Sequence, residues 1–382
     1  MAESKLTKIG YELESVSIIQ APISYVSHRD QCDPMVTIGG KRVYPVIVAP
    51  MGSVTDETNY KTWLNNDFMC CVPRTVNFEK RVEITKETFS SFSLAEAEKL
   101  IPLLDDGQKH FVCVDIAQGT MARLYDICKK LKGDLGDNLI LMTGNVAVPQ
   151  AYGYYADYGI DFMRVCIGSG SRCTTRCNVG VGYPTATLID ELRMQKEDWE
   201  DWNEPLHGTE LIVDGGISNF DDIQKCLALG AFGVMSGSIF AKAEEACEPI
   251  VFLQPDNLNM ADAIPVDEYY DKLEELKRRS DLIDRENNEY WIAYRRLSLR
   301  KPYRLYYGMS TKYAQKLTGG SGNITSEGIS KPILVEYPIK KWAENMAAYM
   351  KSCMSYVGAS YIEELREAKV IINGSSDRSF RK

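Results

Sequence analysis

FMRVCIGSG, residues 162–170, is a short run of apolar and β-branched residues that stops on a glycine-serine turn. It is too short for an ordinary helix and does not alternate between apolar and polar as a half-wetted strand would. A strand covered on both faces reads this way. Six more runs share its pattern: PVIVAPM (45–51), MCCVPR (69–74), FVCVDIAQG (111–119), LILMTGNV (139–146), LIVDGGI (211–217) and FGVMSGSI (232–239). Between them lie stretches of helical period such as MARLYDICKKLK (121–132) and FDDIQKCLALG (220–230). Strand and helix in alternation imply a parallel sheet. Seven strands are legible and an eighth is inferred. An open doubly wound sheet would concentrate its ligand at one switch point. Here nearly every run ends in residues able to do chemistry, which suits a (β/α)8 barrel, the TIM barrel of the α/β class, whose working face is built from many strand ends.

The chain has 382 residues, long for one domain but within the range of barrels with insertions. Its net charge of −9 argues against a nucleic-acid partner, since a phosphate backbone demands a basic face. Eleven scattered cysteines without paired spacing point to a reduced setting. No apolar run is long enough to span a membrane, and the opening MAESKLTKIG does not read as a signal peptide, so a cytoplasmic location is expected. None of the three histidines has zinc-ligand spacing.

Residues 241–300 break the rhythm. DEYYDKLEELKRRSDLIDRENNEYWIAYRR (267–296) is dense in charge and helical in period, which predicts a solvated, largely helical insertion; a lid or partner-binding role is the other reading. The expected organisation is one catalytic barrel over 1–365, interrupted by that insertion, with a C-terminal tail at 366–382.

Three strand ends could hold a phosphate. GSGS (168–171), DGG (214–216) and SGS (236–238) each offer backbone N–H groups free of side-chain obstruction. One such turn alone is commonly conformational, but three at the same face of a barrel form a pattern. Cys113, Cys166 and Cys226 read as small buried hydrophobes. Cys173 differs, because it follows a glycine turn and has Arg172 and Arg176 beside it, surroundings that favour a thiolate.

Taken together, GSGSRCTTRCNVGVGYP (168–184) resembles the active-site loop of the IMP dehydrogenase and GMP reductase family. APMGSVT (49–55), DIAQG (115–119), GNVA (144–147), VDGGI (213–217), YYGMS (306–310) and SEG (326–328) follow in the family's order, so the resemblance covers roughly residues 10–240 and 301–365. It implies that Cys173 attacks C2 of a purine nucleotide and that Thr175 and Glu327 relay a proton. Substrate contacts carried over with it are Ser171, Asp214, Gly215, Gly216, Gly237 and Ser238, then Tyr306, Gly308, Met309, Ser310, Ser326 and Gly328. For the cofactor it implies Asp115, Ile116, Ala117, Asn145, Ile167 and Gly168 near the nicotinamide, with Arg74, Ser352 and Ser355 further along the dinucleotide. A potassium ion is implied at the carbonyls of Gly168, Gly170 and Cys173, and a homotetramer, or two paired into an octamer, as the assembly.

Two family reactions share the thioimidate. A reductase releases ammonia from C2 of GMP and takes hydride from NADPH to give IMP; a dehydrogenase passes hydride to NAD and hydrolyses the adduct to XMP. Dehydrogenases carry a flap with an Arg-Tyr pair, yet Glu327 comes only nineteen positions after Gly308, with no arginine between them. The 74–111 interval is also too short for the dehydrogenases' regulatory insertion. The resemblance is thus closest to the reductase, with the dehydrogenase as alternative and a catalytically silent nucleotide sensor as a third reading. Departures from the family pattern are Gly52 for an aspartate, Ser169 for a proline and Ile324 for an arginine that touches the base, so a related 2-aminopurine nucleotide is also an expected substrate.

Overall fold

The structure is a computed structural model that describes residues 9–170, 174–203, 208–281, 289–317 and 328–373. Eight parallel strands form its core: β1 (Val46–Val48), β2 (Cys71–Val72), β3 (Phe89–Phe92), β4 (His110–Asp115), β5 (Leu139–Val146), β6 (Phe162–Val165), β7 (Glu210–Asp214) and β8 (Gly233–Ser236). Each pairs with its neighbours in chain order, and β8 returns to β1 with Val234 opposite Val46. A parallel bridge between Val48 and Cys70 closes the ring. The chain is a TIM barrel.

The inferred eighth strand is β3, sequence FSSF. All four of its residues are buried. Its serines hide the apolar pattern, and Ser91 satisfies its hydroxyl against the Cys71 thiol at 3.3 Å rather than against water. Phe89 meets Phe111 and Phe162 edge-on, with ring centroids 5.4 and 6.1 Å apart, filling the barrel's lower end. A hairpin of Val36–Ile38 and Lys41–Val43 packs beneath that end. At its turn Gly39 has φ +56°, and a Cβ there would lie 2.5 Å from the Phe111 ring, so the turn needs glycine twice over.

Helices cover the outside. Ala122–Leu135 and Phe220–Ala228 appear where their periodicity predicts them, and Ile339–Val357 packs beside the latter. The insertion contains the expected helices, Val266–Asp281 and Glu289–Ser298, but also strands that its charge density concealed. These are β9 (Val251–Leu253) and β10 (Ile264–Pro265). They extend a sheet with β11 (Lys301–Tyr307) and β12 (Ser330–Leu334), in the order β10-β9-β11-β12, all antiparallel. A small separate core of Phe252, Tyr269 and Leu297 joins this sheet to the helices, the first two rings stacked at 3.6 Å. Residues 370–372, within the stretch expected as a tail, pair antiparallel with Val16–Ile18. No helix among the described residues is long and apolar enough to cross a membrane.

Candidate active site

The C-terminal ends of the strands open into a cavity of about 570 Å³. Most residues singled out from the sequence line it. From β4 and β5 come Asp115, Ile116, Ala117 and Asn145; the turn after β6 supplies Ile167, Gly168 and Gly170, and the following helix Thr175. Asp214 ends β7 with Gly215 and Gly216 after it, Gly237 and Ser238 follow β8, and Tyr306 on β11 is followed by Gly308, Met309 and Ser310. Arg74, at the end of β2, is also on the wall.

Glycine is required where these turns touch. Gly215 (φ +107°) faces the Ser169 hydroxyl, which a Cβ would meet at 2.8 Å, and Gly216 has φ +80°. A Cβ on Gly237 would lie 2.6 Å from the Tyr306 hydroxyl, which itself contacts the Met51 sulfur at 3.4 Å. The amide N–H groups of Gly216 and Gly237, both on the cavity wall, donate to no described residue. The Ser238 hydroxyl bonds the Ile217 carbonyl at 3.0 Å, which fixes the second turn against the first.

At the cavity floor lies a residue that the sequence reading missed. Arg164, on β6, is 4% exposed. It donates to Asp214 from two nitrogens, at 2.6 and 3.2 Å, and to Asp115 at 2.6 Å. Burial works against its charge, but the Asp214 carboxylate in particular holds the guanidinium ionised well above its ordinary value. Asp115 is half-buried, yet Arg164, together with Arg74 at 3.7 Å, outweighs the desolvation and holds its carboxyl below the usual range. Asn145 completes the network, donating to Asp214 at 2.9 Å and to the Cys166 carbonyl at 3.1 Å. The available signal was a lone charge inside an apolar strand run, which demands a buried partner.

Arg176 departs from the sequence-based reading. Its guanidinium pairs with Glu12 and donates to the Tyr183 carbonyl, so its charge is compensated rather than left to favour a thiolate nearby. Cys113, Cys166 and Cys226 are buried as expected. Burial pushes the Cys166 thiol up to about 12.

Ser171, Cys173, Ser326 and Glu327 lie outside the described residues. Their described neighbours converge: Thr175 lines the cavity, and Gly328 packs on Ser310, whose hydroxyl a Cβ would meet at 3.0 Å. Ser352 and Ser355 stand apart, on the Ile339–Val357 helix, where the Ser355 carbonyl accepts from Ser24 at 2.9 Å. The carbonyls of Gly168 and Gly170 accept from no described residue and so are free to ligate a cation.

Residues 91–261 match the sequence profile of the IMP dehydrogenase / GMP reductase domain. GMP reductase of Bacillus subtilis is 30% identical over 247 residues, which cover 62% of this chain and 72% of that protein. The chain belongs to the IMP dehydrogenase / GMP reductase family. The GMP reductase of Oceanobacillus iheyensis is 29% identical with the same coverage. An inosine-5′-monophosphate dehydrogenase of Chlorobaculum parvum is 28% identical over 256 residues, 67% of this chain but 43% of that longer protein. The chain is therefore an enzyme of an oxidoreductase family.

Proposed function

We propose that this enzyme is an NADPH-dependent reductive deaminase of GMP, or of a closely related 2-aminopurine nucleotide. GMP, NADPH and two protons give IMP, NADP and ammonium. The observation that carries this reading is the loop between β11 and β12. Tyr307 pairs with Ser330, so the loop leaves and returns at one point, and residues 308–329 contain no arginine to activate water. The dehydrogenase reading has one support, the comparable identity to a dehydrogenase over much the same span.

The amides of Gly216 and Gly237 hold the 5′-phosphate, with Ser171 and Ser238 beside it. Asp214, held by its ion pair with Arg164, accepts from the ribose hydroxyls. Met309 and Ser310 face the base. Cys173 then adds through its sulfur to C2, and the amino group leaves with a proton passed from Glu327 through Thr175. A threonine hydroxyl is too weak an acid alone, which is why a carboxyl behind it is needed. NADPH, when bound, supplies hydride to C2, after which the thiolate departs. Asp115, Ile116, Ala117, Asn145 and Gly168 form the wall for its nicotinamide. The site proposed for its far end, with Ser352 and Ser355, lies outside this cavity, which fits completion by a neighbouring subunit of a homotetramer. Free carbonyls at Gly168 and Gly170 fit a potassium ion, with Cys173 as the third ligand.

Glu327→Gln tests the relay. The variant should bind GMP without deaminating it, while hydride exchange between IMP and NADP remains measurable, because that step needs no leaving-group proton. In a dehydrogenase the same change would slow hydrolysis, and a covalent Cys173–nucleotide adduct would accumulate with IMP and NAD in intact-protein mass spectra.

A further inference from the structure

Residues 10–12 lie across the far end of the loop that follows β6. The Tyr11 amide donates to the Thr187 hydroxyl at 2.7 Å, and the Thr187 amide returns a bond to the Tyr11 carbonyl at 3.2 Å. Glu12 divides its carboxylate: one oxygen accepts from the Thr185 amide at 2.9 Å, and the other pairs with Arg176. Arg176 in turn donates to the Tyr183 carbonyl. Its side chain lies against two glycines. A Cβ on Gly182 would meet its Nε at 2.5 Å, and one on Gly168 would meet its Cβ at 2.8 Å. One side chain thus ties together the start of the loop at 168, its helical turn at 175–178 and its end at 182–185. Among the described residues, Glu12 is the carboxylate that holds it.

We infer that Glu12 is a positioning residue for catalysis: through Arg176 it holds Gly168, the turn at 175–178 and residues 182–185, the described parts of the loop that carries Cys173 and Thr175. This rests on the reading of Cys173 as the nucleophile. The effect is on geometry, and the phosphate cradle at Gly216 and Gly237 belongs to other strand ends. A loosened loop therefore changes the chemical step more than nucleotide binding, to which this loop contributes Ser171 alone.

The test is a double-mutant cycle on the full chain with Glu12→Gln and Arg176→Met, read by kcat and nucleotide KM. A misplaced reacting group costs roughly 10- to 100-fold in kcat, so each single variant should lose that much with nucleotide KM changed far less. The double variant should lose no more than Arg176→Met alone. Arg176→Lys keeps the charge but not the two-pronged donation, and should recover only part of the loss. Multiplicative losses, a wild-type kcat in Glu12→Gln, or KM rising in parallel with the fall in kcat would overturn the inference. If the wild type turns over no 2-aminopurine nucleotide, the functional reading fails separately. The inference is then decided by the rate at which iodoacetamide alkylates Cys173, followed by peptide mapping. Glu12→Gln should raise that rate about threefold or more, and an unchanged rate contradicts it.

Discussion

Arg164 and Cys173 mark two kinds of legibility at the scale of single residues. The glycines and hydroxyls around Cys173 carry a local pattern, so the loop could be read directly. Arg164 carries none, because its partners Asp115 and Asp214 are 49 and 50 residues away and meet it only once the barrel closes. Replacing Cys173 with serine should leave nucleotide binding intact and lower turnover by about a thousandfold or more, since a serine hydroxyl is not ionised at neutral pH; calorimetric titration and steady-state rates check the two halves. Arg164→Met should leave two half-buried carboxylates without their shared cation, Asp115 keeping Arg74 and Asp214 keeping Asn145, and cost about 3 kcal/mol in denaturant unfolding. The Asp115 carboxyl is held below its ordinary value. Its ion pairs therefore contribute fully above the unfolded-state pKa of about 4 and fade as pH falls through the lower folded value. The stability difference between wild type and Asp115→Asn should stay constant from about pH 5 to 8 and shrink only below about pH 4.

Among the elements, the strands with continuous apolar runs were plain, and those built from mixed residues were not. In β3 two serines stand where a parallel strand usually has valine or isoleucine, so only tertiary closure reveals it. The insertion strands β9 and β10 are short and sit among charged helices; β9 is fixed by pairing with β11, and β10 by pairing with β9, rather than by their own sequence. That pairing links the insertion to the active site, because β11 runs straight into Gly308, Met309 and Ser310 on the cavity wall. Phe252→Ala removes one of the two stacked rings that join β9 to its helices, at a local cost of about 3–5 kcal/mol. Amide exchange should then accelerate in 251–253 and 301–307 and stay slow in the barrel strands. Uniform acceleration across the barrel would mean that the insertion is part of the global folding unit.

For the whole molecule, alternation of strand and helix decided the barrel, while distant chain segments that finish it stayed hidden. Residues 370–372 close against Val16–Ile18, and Glu12 reaches the loop after β6, contacts that no local period encodes. Assembly belongs to this scale. Ser352 and Ser355 lie on a helix outside the cavity, so if they touch the cofactor they do so across a subunit boundary. Light scattering should give a homotetramer, and dilution to monomer should abolish turnover; a fully active monomer would contradict this. The reaction itself is tested most directly by chromatography of two parallel incubations of the wild-type protein. With GMP and NADPH the account predicts IMP, ammonium and NADP in equal amounts, and with IMP and NAD no appreciable XMP. Robust XMP and NADH from the second mixture, with GMP unchanged in the first, would show that the enzyme is a dehydrogenase.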